Sequence, residues 1–468
     1  MILSEREIRI PPYAGNDSLL THLQDNVERH LHAGEVPVRF AVTRTDDEGY
    51  RCELGVLAGI DGLPVSKPES IFDLAPRKVE NTNLFNVALI VPTGIGAEIG
   101  GHAGDATPVA RLLASVCDTL ITHPNVVNAS DINELPQNGL YVEGSVISRL
   151  LMGTAGLQRV RSNRVIVIID EHKDPRMSEL TINSVSAARA TLGLDCPLVI
   201  KMQPPIDTTA TYSPAGTAAG RITGVERLFE VLRENQGSYD AAAIASVIKV
   251  PWDYHEKYFI EHGKMVNPWG GVEAMLTHAI SMTFNVPSAH SPMLETMEIA
   301  NLNVGLVDPR MSAEAVSTCF FHCVLKGLHR SPRIITDVRS MACPGVLTAA
   351  DVSCLVIPDG CLGLPTLAAL QQGIPVIAVR ENRNMMRNDL TKLPFAHGRL
   401  FIVDNYLEAA GVIAALKAGV AVSSVRRPMT DTTVVAKNLQ SSTASGARTD
   451  GIVLPEVIGP TMEPAEQR

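Results

Sequence analysis

The chain has 468 residues, 45% hydrophobic and 19% charged, so it can bury a large core, and its length fits two or three domains of roughly 150 residues. Its 40 Lys and Arg against 50 Asp and Glu give a net charge of −10, and without a basic stripe to release counterions neither a nucleic acid nor an anionic membrane surface is an expected partner. No apolar run approaches the roughly 20 residues of a membrane helix, the opening MILSEREIRIPPYAGND lacks the apolar core of a signal peptide, and the eight scattered cysteines read as reduced thiols, so the expected location is the cytoplasm.

Residues 37–57 alternate around Asp47-Glu48-Gly49, which predicts a β-hairpin and makes residues 1–80 an N-terminal elaboration. From Asn86 short β-branched runs alternate with helical stretches: VALIVP, a helix near Pro108, DTLIT, RVIVIID, a helix over residues 178–191, PLVIK, a helix over 225–234, and ASVIKV. The alternation continues through a helix from Gly271, NVGLVD, a helix from Ser312 to Lys326, RIIT, CLVIP, a helix from Pro365, PVIAV, FIVD and a helix from Tyr406 to Lys417. Strands separated by helices imply parallel sheets with right-handed crossovers, and about ten strands exceed one ordinary open sheet. The expected fold is therefore α/β: two doubly wound, mostly parallel-sheet domains, 81–265 and 266–420, after the hairpin elaboration of 1–80. The Ser-, Thr- and Pro-rich segment 421–468 reads as a polar, mobile tail or as a contact with a second copy in a homo-oligomer.

The densest polar signal is NVALIVPTGIGAEIGGHAGD, a buried strand that breaks into a loop with Gly94, Gly96, Gly100 and Gly101 and carries His102 and Asp105. Such loops let backbone N–H groups approach an anion, and Thr107-Pro108 is a good helix start behind it. The spacing is neither the dinucleotide fingerprint nor a P-loop; the competing reading is a long turn that needs positive φ. After DTLIT come His123, Asn125, Asn128, Ser130 and Asp131, a second loop at a strand's carboxyl end, where open α/β sheets place their crevice. Asn, Ser and Asp also make turns and caps, so His123 carries more of this signal.

Asp170 ends RVIVIID, and Lys201 and Lys249 end PLVIK and ASVIK, where a lysine can bind a carboxylate or phosphate, act as a base, or merely snorkel to water. Trp269 and Gly270, in NPWGGVEA, read as a ligand platform or as a buried hinge, with Glu273 in the first helical turn, His278 further along and His290 at a later strand end. Cys319, His322 and Cys323 share one apolar helical run and read as core packing, so no metal site is assigned. Asp359-Gly360-Cys361 forms a strand-to-helix turn in which helical N–H groups would lower the thiol's pKa, making Cys361 the nucleophile or proton-transfer candidate, with Arg380 as an anion clamp.

Taken together, PTGIGAEIGGHAGD, THPNVVNASDINE, NPWGGVEA and PDGCLGLPTLAALQQGIPVIAVRENRN resemble a bacterial and plastid-type family known only as a domain of unknown function, over most of residues 85–405. That resemblance implies no activity. The strand, turn, helix and strand of 353–379 is also similar to the donor-binding half of two-domain glycosyltransferases. The expectation is an enzyme on a small anionic metabolite, of isomerase, lyase or hydrolase type, with Cys361, His123, His102, Asp105 and Lys201 as the reacting groups. A nucleotide-sugar transferase and a non-catalytic ligand-binding protein are the alternatives, and no cofactor is clearly implied.

Overall fold

The computed structural model describes residues 1–15, 18–62, 69–261 and 263–436. Met1–Val422 forms one compact unit; most of the expected tail, from residue 437, lies outside the described residues.

Six short strands build a parallel sheet in the order Leu400–Val403, Val376–Val379, Val352–Pro358, Asn86–Leu89, Thr119–Thr122, Gly139–Tyr141. Helices cover both faces of such a sheet, so its strands are hydrophobic on both sides and read as unbroken Val, Ile and Leu. In chain order this is sixth, fifth, fourth, first, second, third. The direction of winding reverses between Asn86–Leu89 and Val352–Pro358, and a crevice opens at the carboxyl ends of the strands beside such a reversal.

The other large sheet is mixed, with ten strands among the described residues. Its parallel part is Asp195–Met202, Arg164–Asp170, Ala241–Lys249 and Ser288–Met293. Asp207–Tyr212 joins it parallel to the last residues of Ala241–Lys249, and antiparallel pairing then runs through Ala218–Thr223, Ile2–Ile10, Gly49–Ala58, Glu35–Asp46 and the two residues Leu362–Gly363.

The α/β class stands, and so does the hairpin, as Glu35–Asp46 and Gly49–Ala58 around Asp47-Glu48. Its role differs from the expected elaboration: Ile2–Ile10 pairs with both Gly49–Ala58 and Ala218–Thr223, so the hairpin is the interior of a sheet. The expected cut at 265/266 follows neither sheet, because the parallel sheet takes three strands before residue 142 and three after residue 351. Strand pairing is settled in space, and local periodicity cannot see it. The expected strand NVGLVD is irregular backbone, and the helix expected over 312–326 is two, Ser312–Ala315 and Phe321–His329, leaving Cys319 between them. No helix among the described residues is long and apolar enough to cross a membrane.

Helix Gly270–Phe284 packs between the mixed sheet and helix Gly144–Met152, which follows the parallel sheet's strand Gly139–Tyr141. It is buried along most of its length, as a helix with neighbours on several sides must be, and it packs on Ala218–Thr223, Ser288–Met293, Glu35–Asp46 and helix Gly144–Met152. The close approach at its start depends on Gly270, where a Cβ would meet the Thr93 hydroxyl at 2.1 Å.

Candidate functional site

The carboxyl ends of Asn86–Leu89, Thr119–Thr122 and Gly139–Tyr141 open into a cavity of about 280 Å³, closed from the other side by helix Gly270–Phe284, Val38–Ala41 and His290. A second cavity of about 230 Å³ adjoins it, and the two share Ala103, Asn128, Asn267, Glu273 and His290.

His123 follows directly on strand Thr119–Thr122 and is almost fully buried. Its Nε2 accepts the Val91 N–H at 3.1 Å; since a backbone N–H can only donate, the ring proton belongs on Nδ1. Burial pushes the His123 pKa down to about 4 against the pull of nearby Glu143, so the ring is neutral at physiological pH.

Glu143 caps helix Gly144–Met152, its Oε2 accepting the Ser145 N–H at 3.0 Å and the Ser145 hydroxyl. Its Oε1 meets His278 Nε2 at 3.0 Å. Burial opposes its charge, but the His278 contact and the Ser145 hydrogen bonds prevail and hold the carboxyl below the usual range. His278 Nδ1 is buried without a hydrogen-bond partner.

Glu273 and His290 form the third group. His290 Nδ1 lies 3.0 Å from Glu273 Oε1, and its Nε2 lies 2.8 Å from Ser246 Oγ. The order hydroxyl, imidazole, carboxylate is that of a nucleophilic triad, yet Ser246 is fully buried in its strand and lines neither cavity, whereas Glu273 lines both. Ser246 therefore anchors His290, and His290 orients the Glu273 carboxylate.

Two arginines line the first cavity. Arg39 is held by Glu5 and by Glu53, the latter at 3.3 Å. Arg149 instead donates to neutral acceptors, Asn285 Oδ1 at 2.9 Å and Ser281 O at 3.5 Å, and burial lowers its pKa. A partly buried guanidinium without a bonded carboxylate favours an anion beside it.

In the second cavity Glu314 accepts from the Ala103 N–H and, at 3.0 Å, from the Tyr258 hydroxyl, and burial pushes its pKa up to about 7. The Tyr258 hydroxyl also meets His102 Nδ1 at 2.9 Å, and its ring stands edge-on to Trp269.

Of the residues expected from sequence, the structure brings His123, Asn125, Asn128, Trp269 and Gly270 to these cavities. Asn125 and Asn128 are committed to the walls: Asn125 donates to Val91 O and Gly100 O, and Asn128 to the Tyr141 hydroxyl. His102 stands behind the wall, reaching it through Tyr258, with its pKa pushed down to about 4 by burial. Asp105 is turned to the Gly100 N–H at 2.8 Å, and burial pushes it up to about 7.

The remaining expectations need correction. Cys361 is 5% exposed, lines neither cavity, and burial drives its thiol pKa up rather than down, so it is no thiolate nucleophile. Its neighbours Asp359 and Gly360 also line neither, the Asp359 carboxylate accepting the Gly360 N–H; Gly363 to Pro365, further along the turn, do reach the first cavity. Lys201 is exposed on the outermost strand of the mixed sheet, Lys249 pairs with Asp207 at 2.6 Å, and Arg380 pairs with Asp404 at 3.2 Å, all outside the cavities. Gly94, Gly96, Gly100 and Gly101 line neither cavity, and around them Glu98 N–H goes to Arg383 O, Ile99 N–H to Asn382 Oδ1 and Gly100 N–H to Asp105. These glycines serve the turn itself, as at Gly94, where φ is +73° and a Cβ would lie 2.7 Å from that of Ala218.

Sequence reasoning missed Glu143, Arg149, Tyr258 and Glu314. Glu143 follows a three-residue strand too short to stand out, although Glu-Gly-Ser before an apolar run is a readable helix start. Glu314 and Tyr258 come from distant segments and meet only in space.

The family described as "Protein of unknown function (DUF3326)" matches residues 86–426. The chain is 35% identical over 340 residues to a Synechococcus sp. protein described as an uncharacterized lipoprotein, covering 71% of this chain and 90% of that one. No solved structure matches.

Proposed function

The chain belongs to the DUF3326 family, proteins of unknown function, and we propose that it is an enzyme that moves protons on a small anionic metabolite. The observation that carries this reading is the convergence of His123, the Glu143–His278 pair and the Glu273–His290 pair on one cavity at the carboxyl ends of a parallel sheet. Glu273, oriented by His290, takes the proton and returns it; neutral His123 offers its Nδ1–H as a hydrogen bond to the charge that develops; Arg149 holds the substrate's carboxylate or phosphate. This is isomerase or lyase chemistry, or hydrolysis by an activated water, and it makes no use of a thiol. Eight unpaired cysteines fit a reducing compartment, so the reading includes a cytoplasmic location, which cell fractionation would check against the relative's description as a lipoprotein.

The doubly wound strand order and the presence of Gly363 to Pro365 in the cavity wall favour the nucleotide-sugar alternative. Thermal-shift screening separates the two. Small carboxylates and phosphates should stabilise the protein, and Arg149→Met should remove that effect. Stabilisation by nucleotide sugars alone would overturn the reading. Once a substrate is in hand, Glu273→Gln should cost about 10²–10⁴ in kcat with the melting temperature little changed.

A further inference from the structure

Resting on that reading, we propose that the second cavity is the substrate's apolar pocket, so that the metabolite is a small acid bearing an alkyl or aryl group, its charge beside Arg149 and its apolar end against Trp269. The wall is built for such a group: Phe259, Trp269, Met293, Ile299 and Val324 line it. Its volume of about 230 Å³ exceeds what a single ring or a short acyl chain occupies.

Charge decides the orientation. The second cavity is lined by Glu273, Glu295 and Glu314 and, among the described residues, by no lysine or arginine, whereas Arg39 and Arg149 line the first. The first cavity also holds Glu143 and Glu273, and its Arg39 is taken by Glu5 and Glu53, so Arg149 is the cation an anion would meet there; the second cavity offers it none. Glu314 adds a further constraint: one oxygen already takes the Ala103 N–H and the Tyr258 hydroxyl, and burial keeps its proton to about pH 7, so the chamber favours neutral groups. His255 Nε2, buried there without a partner, leaves one place for a polar atom on an otherwise apolar group. Because Glu273 and His290 line both cavities, the carbon joining head and tail would sit beside the proposed base.

Calorimetric titration of the full chain with acetate, hexanoate and 3-phenylpropionate tests this. Hexanoate and phenylpropionate should bind at least tenfold more tightly than acetate, since each buried methylene adds to affinity. Ala300→Phe, which narrows the second cavity, should cancel that gain and leave acetate binding unchanged; Ala315→Phe provides the same narrowing from an exposed position if the first variant does not fold. Equal affinities for the three acids, or a gain that survives both substitutions, would overturn the apolar pocket while leaving the first cavity's role intact. Binding of none of them would overturn both.

Discussion

Asp170 shows how a single buried group can be misread. Its carboxylate stands at a strand's carboxyl end, as a catalytic acid would, but its Oδ1 accepts only a 3.4 Å contact from Ile206 N–H and its Oδ2 has no partner. Burial pushes its pKa up to about 7, from 3.8, against the Ile206 bond and Arg227. A raised folded pKa means that the native state binds the proton more tightly than the unfolded one. Its contribution to stability is full below pH 3.8 and is lost as pH rises towards 7. Asp170→Asn should therefore gain on the wild type between pH 4 and pH 8, by roughly 2–4 kcal/mol, measured as the change in the denaturation free-energy difference across that range. A difference independent of pH would show that the carboxyl is solvated. His102 and His123 act with the opposite sign, losing stability as pH falls from 6.5 towards about 4, because unfolding lets each ring take up a proton that burial denies it. At this scale the sequence shows which groups are present and not the state that burial imposes on them. Cys361 looks like a reactive thiol in a turn, and only its enclosure reveals an inert one.

Among the elements, the glycine-rich loop changes most in meaning. Its position after Asn86–Leu89 and before helix Thr107–Ala114 is legible, and so is the need for positive φ. What cannot be read is that two of its N–H groups, of Glu98 and Ile99, have partners in a loop some 280 residues later, at Arg383 and Asn382. Gly94→Ala should cost about 1–3 kcal/mol, combining left-handed strain with a clash against Ala218. Gly373 provides the control, having φ +65° and no atom within 4 Å of an added Cβ, so Gly373→Ala should cost only about 1 kcal/mol. Chemical denaturation of the two variants isolates the steric part; equal losses would mean that the Ala218 contact relaxes freely. Helix Gly270–Phe284 makes the complementary point. Its Gly-Gly start and Glu273 are visible in the sequence, while the cavity it closes depends on packing against Glu35–Asp46 and Gly144–Met152, which no helical period announces.

For the molecule as a whole, the parallel sheet is assembled from two pieces of chain separated by some 210 residues, and those intervening residues supply most of the other sheet. Fragments 1–265 and 266–468 each carry three of its six strands and should fail to fold separately. Circular dichroism and hydrogen exchange on the two halves would show unprotected backbone; a cooperatively folded half would contradict the interleaved topology. The sequence by itself determined the α/β class, the hairpin, most of the strands and helices, the segment after a strand's carboxyl end that holds His123 and Asn128, and the Gly-Gly start of the helix at Gly270, because hydrophobic period and turn chemistry act over a few residues. The tertiary structure alone decided which strands pair, that Glu143 meets His278 and His290 meets Glu273, and that Cys361, Lys201 and Arg380 stand apart from the cavities. Those outcomes depend on burial and on contacts between residues far apart in the chain, quantities that no local window contains.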